Sequence, residues 1–229
     1  MLYNRQSAME NIRNRDGKRV FYLGKGDKLT NDARDHLTRE RIAILPAEQA
    51  KPECYQLLGG GVIENKPEHM THLNGQVLVP KTHPRIAFRG GVDLLEGQLL
   101  LCQSMAKEDM YRKLQEGLEL ARLLIRCDVL EEPVTQMTLG GMDEEQLRKR
   151  SHLPQNYYGQ PHFMPEGKDD PLLLQINLAR ATARQTELLA VHAFCDREGN
   201  PTRPDILQAL NRLSSYLYIL MIEIKASGK

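Results

Sequence analysis

From Pro84 to the end of the chain, leucine, isoleucine and valine recur three and four residues apart in long segments, interrupted only where glycine, proline and polar residues cluster. That spacing lays apolar groups along one face of a 3.6-residue helix and does not suit the strict alternation of a half-buried strand. Four long helices are predicted, near residues 88–107, 110–128, 171–196 and from Pro204 to about 225, with a shorter one near 142–151. Gly140-Gly141, a polar loop with Tyr157 and Tyr158, and Gly199-Asn200-Pro201 separate them, and Pro204 suits the first turn of the last helix. Long amphipathic helices joined by loops have to bury their stripes on one another, so the expected fold class is mainly α, an antiparallel four- to five-helix bundle.

The first third of the chain reads differently. Val20-Phe21-Tyr22-Leu23 is strand-like, Thr30 can cap a helix over Asn31 to Arg41, and Ile42-Ala43-Ile44-Leu45 returns as a second strand, which makes a small strand-helix-strand extension. The turn Gly24-Lys25-Gly26-Asp27 lacks the spacing of a nucleotide-binding glycine loop. Residues 46–84 are irregular, rich in glycine and proline, and read as loop with short strands. His69 and His72 there, with Cys54 upstream, are weak candidates for a metal site, because they lack paired ligand spacing. We therefore expect an N-terminal extension over 1–63 and a helical-bundle domain over 64–229.

Charge narrows the classes of function. With 31 Lys and Arg against 30 Asp and Glu, the net charge of +1 gives no reason to expect nucleic-acid or membrane-surface binding. The apolar runs are too short to cross a bilayer, no leader-like segment opens the chain, and four scattered cysteines suggest free thiols, so a cytoplasmic protein is expected. Any anion it binds is therefore held locally. The place for that is the alanine-rich third long helix, where Arg180, Arg184 and Glu187 stand four and three residues apart and project within an arc of about 60°. Guanidinium groups suit phosphate or carboxylate, so the pattern leaves two readings open: a structural ion-pair face, or a face turned to an anionic ligand.

Three blocks, in one order, resemble the ATP:corrinoid adenosyltransferases. Leu210-Asn211-Arg212-Leu213-Ser214-Ser215 is similar to that family's Leu-Asn-Arg-Leu-Ser-Asp, with Arg203-Pro204-Asp205-Ile206 ahead of it as in the ethanolamine-utilization branch. Lys81-Thr82-His83-Pro84-Arg85-Ile86, continuing to Gly90-Gly91-Val92-Asp93, resembles Lys-Asp-Asp-Pro-Arg-Ile followed by Gly-Thr-Val-Asp. Ala179 to Glu187 resembles Ala-Arg-x-x-x-Arg-Arg-Ala-Glu. The resemblance spans roughly 64–225 and extends, for the ethanolamine branch, to the N-terminal unit.

The resemblance implies transfer of the 5′-deoxyadenosyl group of ATP to the cobalt of cob(I)alamin, giving adenosylcobalamin and triphosphate, with magnesium carried by ATP. It implies Arg184 on the triphosphate, Arg180 paired with Asp93 across a subunit boundary, Lys81 on phosphate, Thr71, Glu187 and Asn211 in the ATP site, and a homo-oligomer, trimer or dimer. It further implies supply of ethanolamine ammonia-lyase or its reactivation machinery, within the cytoplasm or a bacterial microcompartment. The family's apolar cobalt-facing loop reads His162-Phe163-Met164-Pro165-Glu166-Gly167 here, which offers Phe163 as the wedge and His162 as an alternative that could ligate cobalt. Ser215 stands where the family has aspartate, and no Gly-Asp-x-Gly loop precedes Thr71. The contrasting expectation is a non-catalytic corrinoid-binding or microcompartment-associated protein.

Overall fold

The computed structural model describes residues 1–15, 17–49, 54–135 and 137–227, and the chain divides into two compact units, Met1–Cys54 and Tyr55–Lys229. In the first unit, β1 (Leu2–Tyr3), α1 (Arg5–Glu10), β2 (Ile12–Arg15), β3 (Lys18–Leu23), β4 (Lys28–Leu29), α2 (Asn31–Arg39) and β5 (Ala43–Pro46) follow in order. β3 pairs parallel with β5 around α2, the arrangement expected of a strand-helix-strand unit, and β2 adds an antiparallel strand on the other side of β3. The Thr30 hydroxyl accepts from the Ala33 amide at 3.2 Å and caps α2, satisfying one of the donors a helix start leaves open. Ala8, Phe21, Ala33, Leu37 and Ile42 form this unit's own core.

The second unit starts with a four-stranded sheet. β6 (Tyr55–Leu57), β7 (Val62–Ile63), β8 (Met70–Asn74) and β9 (Val77–Pro80) lie in the order β7-β6-β9-β8, so the irregular stretch resolves into short strands joined by glycine turns. The bundle is α3 (Pro84–Met105), α4 (Glu108–Val129), α5 (Glu144–His152), α6 (Pro154–Tyr158), α7 (Pro171–Phe194) and α8 (Pro204–Ser227). Tyr157 and Tyr158, expected in a loop, close the short helix α6. Pro154 at its first turn supplies the preset φ, and Gly159, at φ +63°, ends it in the left-handed region.

Cross-helix contacts fix the directions. Phe88 meets Phe194 edge-on at 5.2 Å while Gln98 accepts from Gln175 at 2.6 Å, so α3 and α7 run antiparallel. Lys113 pairs with Glu223 at 3.0 Å, and Arg203 reaches the Cys127 carbonyl, so α4 and α8 are antiparallel as well. The core is continuous through all four long helices, from Phe88 and Leu95 through Leu124 and Ile176 to Leu213 and Leu220. Small residues permit the closest approach. A Cβ at Gly91 would sit 2.9 Å from Leu189 Cδ1 and 3.0 Å from the Thr186 hydroxyl, so α3 and α7 meet there nearly backbone to side chain. No helix among the described residues is long and apolar enough to cross a membrane.

Candidate active site

Two arginine pairs at the same four-residue spacing sit on neighbouring helices, and their surroundings decide what each can do. On α3, Arg85 Nε donates to Asp128 Oδ1 at 2.8 Å and Arg89 Nε to Oδ2 at 2.6 Å, with the Asp128 side chain wholly buried between them. Arg85 also donates to the Asp128 carbonyl at 2.7 Å, and Arg89 to the Leu73 carbonyl at 2.7 Å. This network ties α3 to the end of α4 and to β8. The exposed Glu131 lies 3.5 Å from Arg85 as a second acid, so both guanidinium groups have carboxylate partners and their donors are used, which makes this a structural pair. The sequence carried this signal as plainly as the other, in the Pro84-Arg85-Ile86 block and Arg89 one turn on, but the buried acid lies some forty residues away and has no local mark.

On α7 the pair is left without an acid. Arg180 donates to Asn177 Oδ1 at 3.1 Å and 3.3 Å and lies 5.8 Å over the Tyr218 ring. Burial, and next the positive charge of Arg184, push the Arg180 pKa below its usual value, and the electron-rich Tyr218 partly offsets this. Arg184 is exposed. Among the described residues no carboxylate comes within ion-pair distance of either guanidinium. Two uncompensated cations one turn apart raise the local potential and favour an incoming anion.

Arg180 and Arg184 border two clefts. One, of about 180 Å³, is lined also by Ser151, His152, His162, Ser214, Ser215 and Tyr218. The other, of about 510 Å³, is lined by Gln185, Glu187, Leu188, Val191 and Asn211 together with the arginines. Residues of the Leu-Asn-Arg-Leu-Ser stretch thus face the arginine helix because α7 and α8 pack along their length. Asn211 Nδ2 donates to Glu187 Oε1 at 3.0 Å, so Glu187 holds the asparagine rather than an arginine.

The loop 160–167 closes one side. His162 Nδ1 lies 3.0 Å from the Tyr218 hydroxyl and its Nε2 lies 3.1 Å from the His152 carbonyl, while the ring stacks on Tyr218 at 5.8 Å and 9°. Phe163, half-buried, stacks on Tyr218 at 6.1 Å, with the Lys225 ammonium 5.5 Å from its ring and that lysine paired to Asp169. Tyr218, which carried no signal in the sequence beyond its place on a core helix, is the point where loop and arginine helix meet.

The remaining expected residues lie elsewhere. Thr71 pairs with Val79 in the sheet, Lys81 stands exposed in the β9–α3 turn with Glu68 at 3.3 Å, and Asp93 is exposed on α3. None of the three lines the two clefts, and Asp93 makes no ion pair with Arg180 inside the chain. The His72 ring is engaged with the Gly75 carbonyl at 3.0 Å and packs on Tyr55, and the His69 carbonyl accepts the Lys81 amide. Among the described residues no three His, Cys, Asp or Glu side chains are grouped to hold a metal ion.

The site is thus a cationic face on α7 bordering two clefts shared with the Asn-Arg-Leu-Ser stretch of α8, within a helical bundle. Residues 62–224 match the family described as cobalamin adenosyltransferase, and the chain belongs to it. It is 33% identical over 220 residues to the corrinoid adenosyltransferase EutT of Salmonella typhimurium strain LT2, covering 94% of this chain and 80% of that protein. To EutT of Escherichia coli K12 it is 32% identical over 207 residues, covering 89% and 76%. Among solved structures, a single-residue variant of a PduO-type ATP:corrinoid adenosyltransferase from Lactobacillus reuteri, complexed with cobalamin and ATP, aligns with a TM-score of 0.49 and 17% identity over 77% of this chain and 91% of that one.

Proposed function

We propose that the protein transfers the 5′-deoxyadenosyl group of ATP to the cobalt of cob(I)alamin, releasing triphosphate. The observation that carries this reading is the Arg180–Arg184 face, which lacks a carboxylate partner among the described residues and borders two clefts lined by Ser214 and Asn211. The reduced corrinoid supplies the nucleophile, so the chain's own residues have only to place the C5′ carbon and receive the leaving charge. Arg184, exposed on α7, would meet the triphosphate, and its fork suits phosphate oxygens two at a time. Arg180 is fixed by Asn177 and Tyr218 and sets the potential beneath. Charge building on the leaving triphosphate is then met by donors already in position. In this reading magnesium would travel on the triphosphate.

Lys81, Thr71 and Asp93 join the site in this reading from a second copy of the chain, with Arg180 facing Asp93 across the boundary. Supporting it, Leu94 beside Asp93 is 58% exposed and Leu188 on the arginine helix is 62% exposed, large apolar surfaces that a monomer leaves in water. In place of the expected boundary at 63/64, this reading gives the transferase to the compact unit Tyr55–Lys229, whose sheet includes β6 and β7, and leaves Met1–Cys54 as an extension of unassigned task. The product would serve ethanolamine ammonia-lyase in the cytoplasm or a microcompartment.

The test is anaerobic: cob(I)alamin and ATP with the protein should give adenosylcobalamin and free triphosphate, followed by absorbance and by phosphorus NMR. Corrinoid bound without turnover would overturn the enzyme reading in favour of a binding protein.

A further inference from the structure

Within the proposed adenosyltransferase reading, we infer that His162 is a pin for the cleft loop rather than a ligand for cobalt, and that Tyr218 is the positioning residue that makes it one. Both ring nitrogens are already used. The His152 carbonyl can only accept, so Nε2, 3.1 Å away, carries the proton, and in the neutral ring Nδ1 is left as an acceptor. The Tyr218 hydroxyl, 3.0 Å from Nδ1, is the donor that fits it. A nitrogen that accepts a hydrogen bond has committed the lone pair a metal would need.

The geometry shows what the pin holds. Tyr218 stacks on His162 at 5.8 Å and on Phe163 at 6.1 Å, and it carries Arg180 5.8 Å above its ring. One aromatic side chain on α8 therefore connects three elements: the loop of 160–167, the end of α5 through the His152 carbonyl, and the arginine face of α7. Two hydrogen bonds of ordinary strength and a ring stack favour the pinned loop over a released one by about 10- to 100-fold. With His162 immobilised, Phe163 becomes the side chain of the pair that can move toward a ligand without breaking a hydrogen bond.

Three variants of the full chain and one spectroscopic probe separate a pin from a ligand. Glutamine carries a donor and an acceptor on one carbon, as imidazole does across Cε1, so His162→Gln can serve both partners, whereas His162→Ala serves neither. We expect His162→Gln to keep kcat within about threefold of the unmodified protein. His162→Ala and Tyr218→Phe should lose about 3- to 10-fold in kcat with the KM for ATP unchanged, because each removes hydrogen bonds of the loop and leaves Arg180 over a ring. Cob(II)inamide, a corrinoid without a nucleotide base, should bind with ATP and show no nitrogen superhyperfine splitting in its electron paramagnetic resonance spectrum. Nitrogen splitting that disappears in His162→Gln, or His162→Gln as defective as His162→Ala, would overturn the inference.

The pin can also be read without turnover. In ¹⁵N-histidine-labelled protein, the His162 resonances, assigned by their loss in His162→Gln, should report the Nε2–H tautomer, and an Nδ1–H tautomer would overturn the assignment. Absence of turnover in the unmodified protein, with the Nε2–H tautomer present, would defeat the adenosyltransferase reading and leave the pin standing.

Discussion

At the scale of single residues, the contrast between the two arginine pairs decides most of what can be said. Arg85 and Arg89 share one fully buried carboxylate, while Arg180 and Arg184 share none. Removing charge has opposite consequences at the two places. Asp128→Asn leaves two half-buried guanidinium groups facing an uncharged amide, and we expect it to cost about 3–5 kcal/mol of stability in denaturant unfolding. Arg184→Ala removes an exposed side chain, so stability should stay within about 0.5 kcal/mol. Its kcat/KM for ATP should fall by about 100-fold, the loss of one bidentate charge-assisted contact to phosphate. A folded Arg184→Ala protein with unchanged ATP kinetics would remove this arginine from the site. Spacing alone does not distinguish these pairs, because an acid that meets a helix from another helix leaves no local pattern.

At the scale of elements, the helices follow from local chemistry and their contacts from particular small or polar residues. α3 begins at Pro84 because the proline ring has φ preset for a first turn and the His83 side chain accepts the Arg85 amide at 3.2 Å. Burial, then the nearby Arg85 and Arg89 charges, push the His83 pKa below 6.5, against the opposing pull of Asp128. The unfolded chain therefore binds a proton near pH 6.5 that the folded protein resists. The unfolded state binds more protons below that pH, so this share of stability is present above it and lost as pH falls through the window beneath. His83→Asn keeps a capping acceptor and should flatten the fall in melting temperature between about pH 8 and pH 5. An unchanged slope would assign the pH dependence to other groups. The α3–α7 contact gives a second prediction. Gly91→Val puts branched carbons against Leu189 and Thr186 and should destabilise the bundle by about 1–3 kcal/mol, seen as a lower denaturant midpoint. The glycine pair of the Gly90-Gly91-Val92-Asp93 block thus has a packing reason at its second member.

At the scale of the whole molecule, the proposed site is complete only if a second copy brings Asp93, Lys81 and Thr71 to the arginine face. Sedimentation should show an oligomer. Arg180→Ala and Asp93→Ala should each weaken it, and the double variant should show a coupling of about 1 kcal/mol or more between them. Strictly additive effects would mean that the two residues do not meet. The number and approximate places of the long helices, the Thr30 cap of α2, the Pro204 start of α8 and the arginine face were legible in the sequence, since each is set by neighbours three or four residues away or by a proline or glycine at a boundary. Short strands were expected somewhere in 46–84, but their bounds and pairing, and the helix α6, were not legible, because segments of two to five residues carry too few side chains to show a period. The three sequence blocks that matched the family also determined which fold to expect. Only the tertiary structure decided that Arg85 and Arg89 are consumed by Asp128, that Glu187 holds Asn211, and that both nitrogens of His162 are occupied by Tyr218 and His152. The physical reason is common to all of these: a side chain's donors and acceptors are local, but their partners come from distant segments, and whether a charge or a lone pair remains for a ligand is settled only when those segments pack.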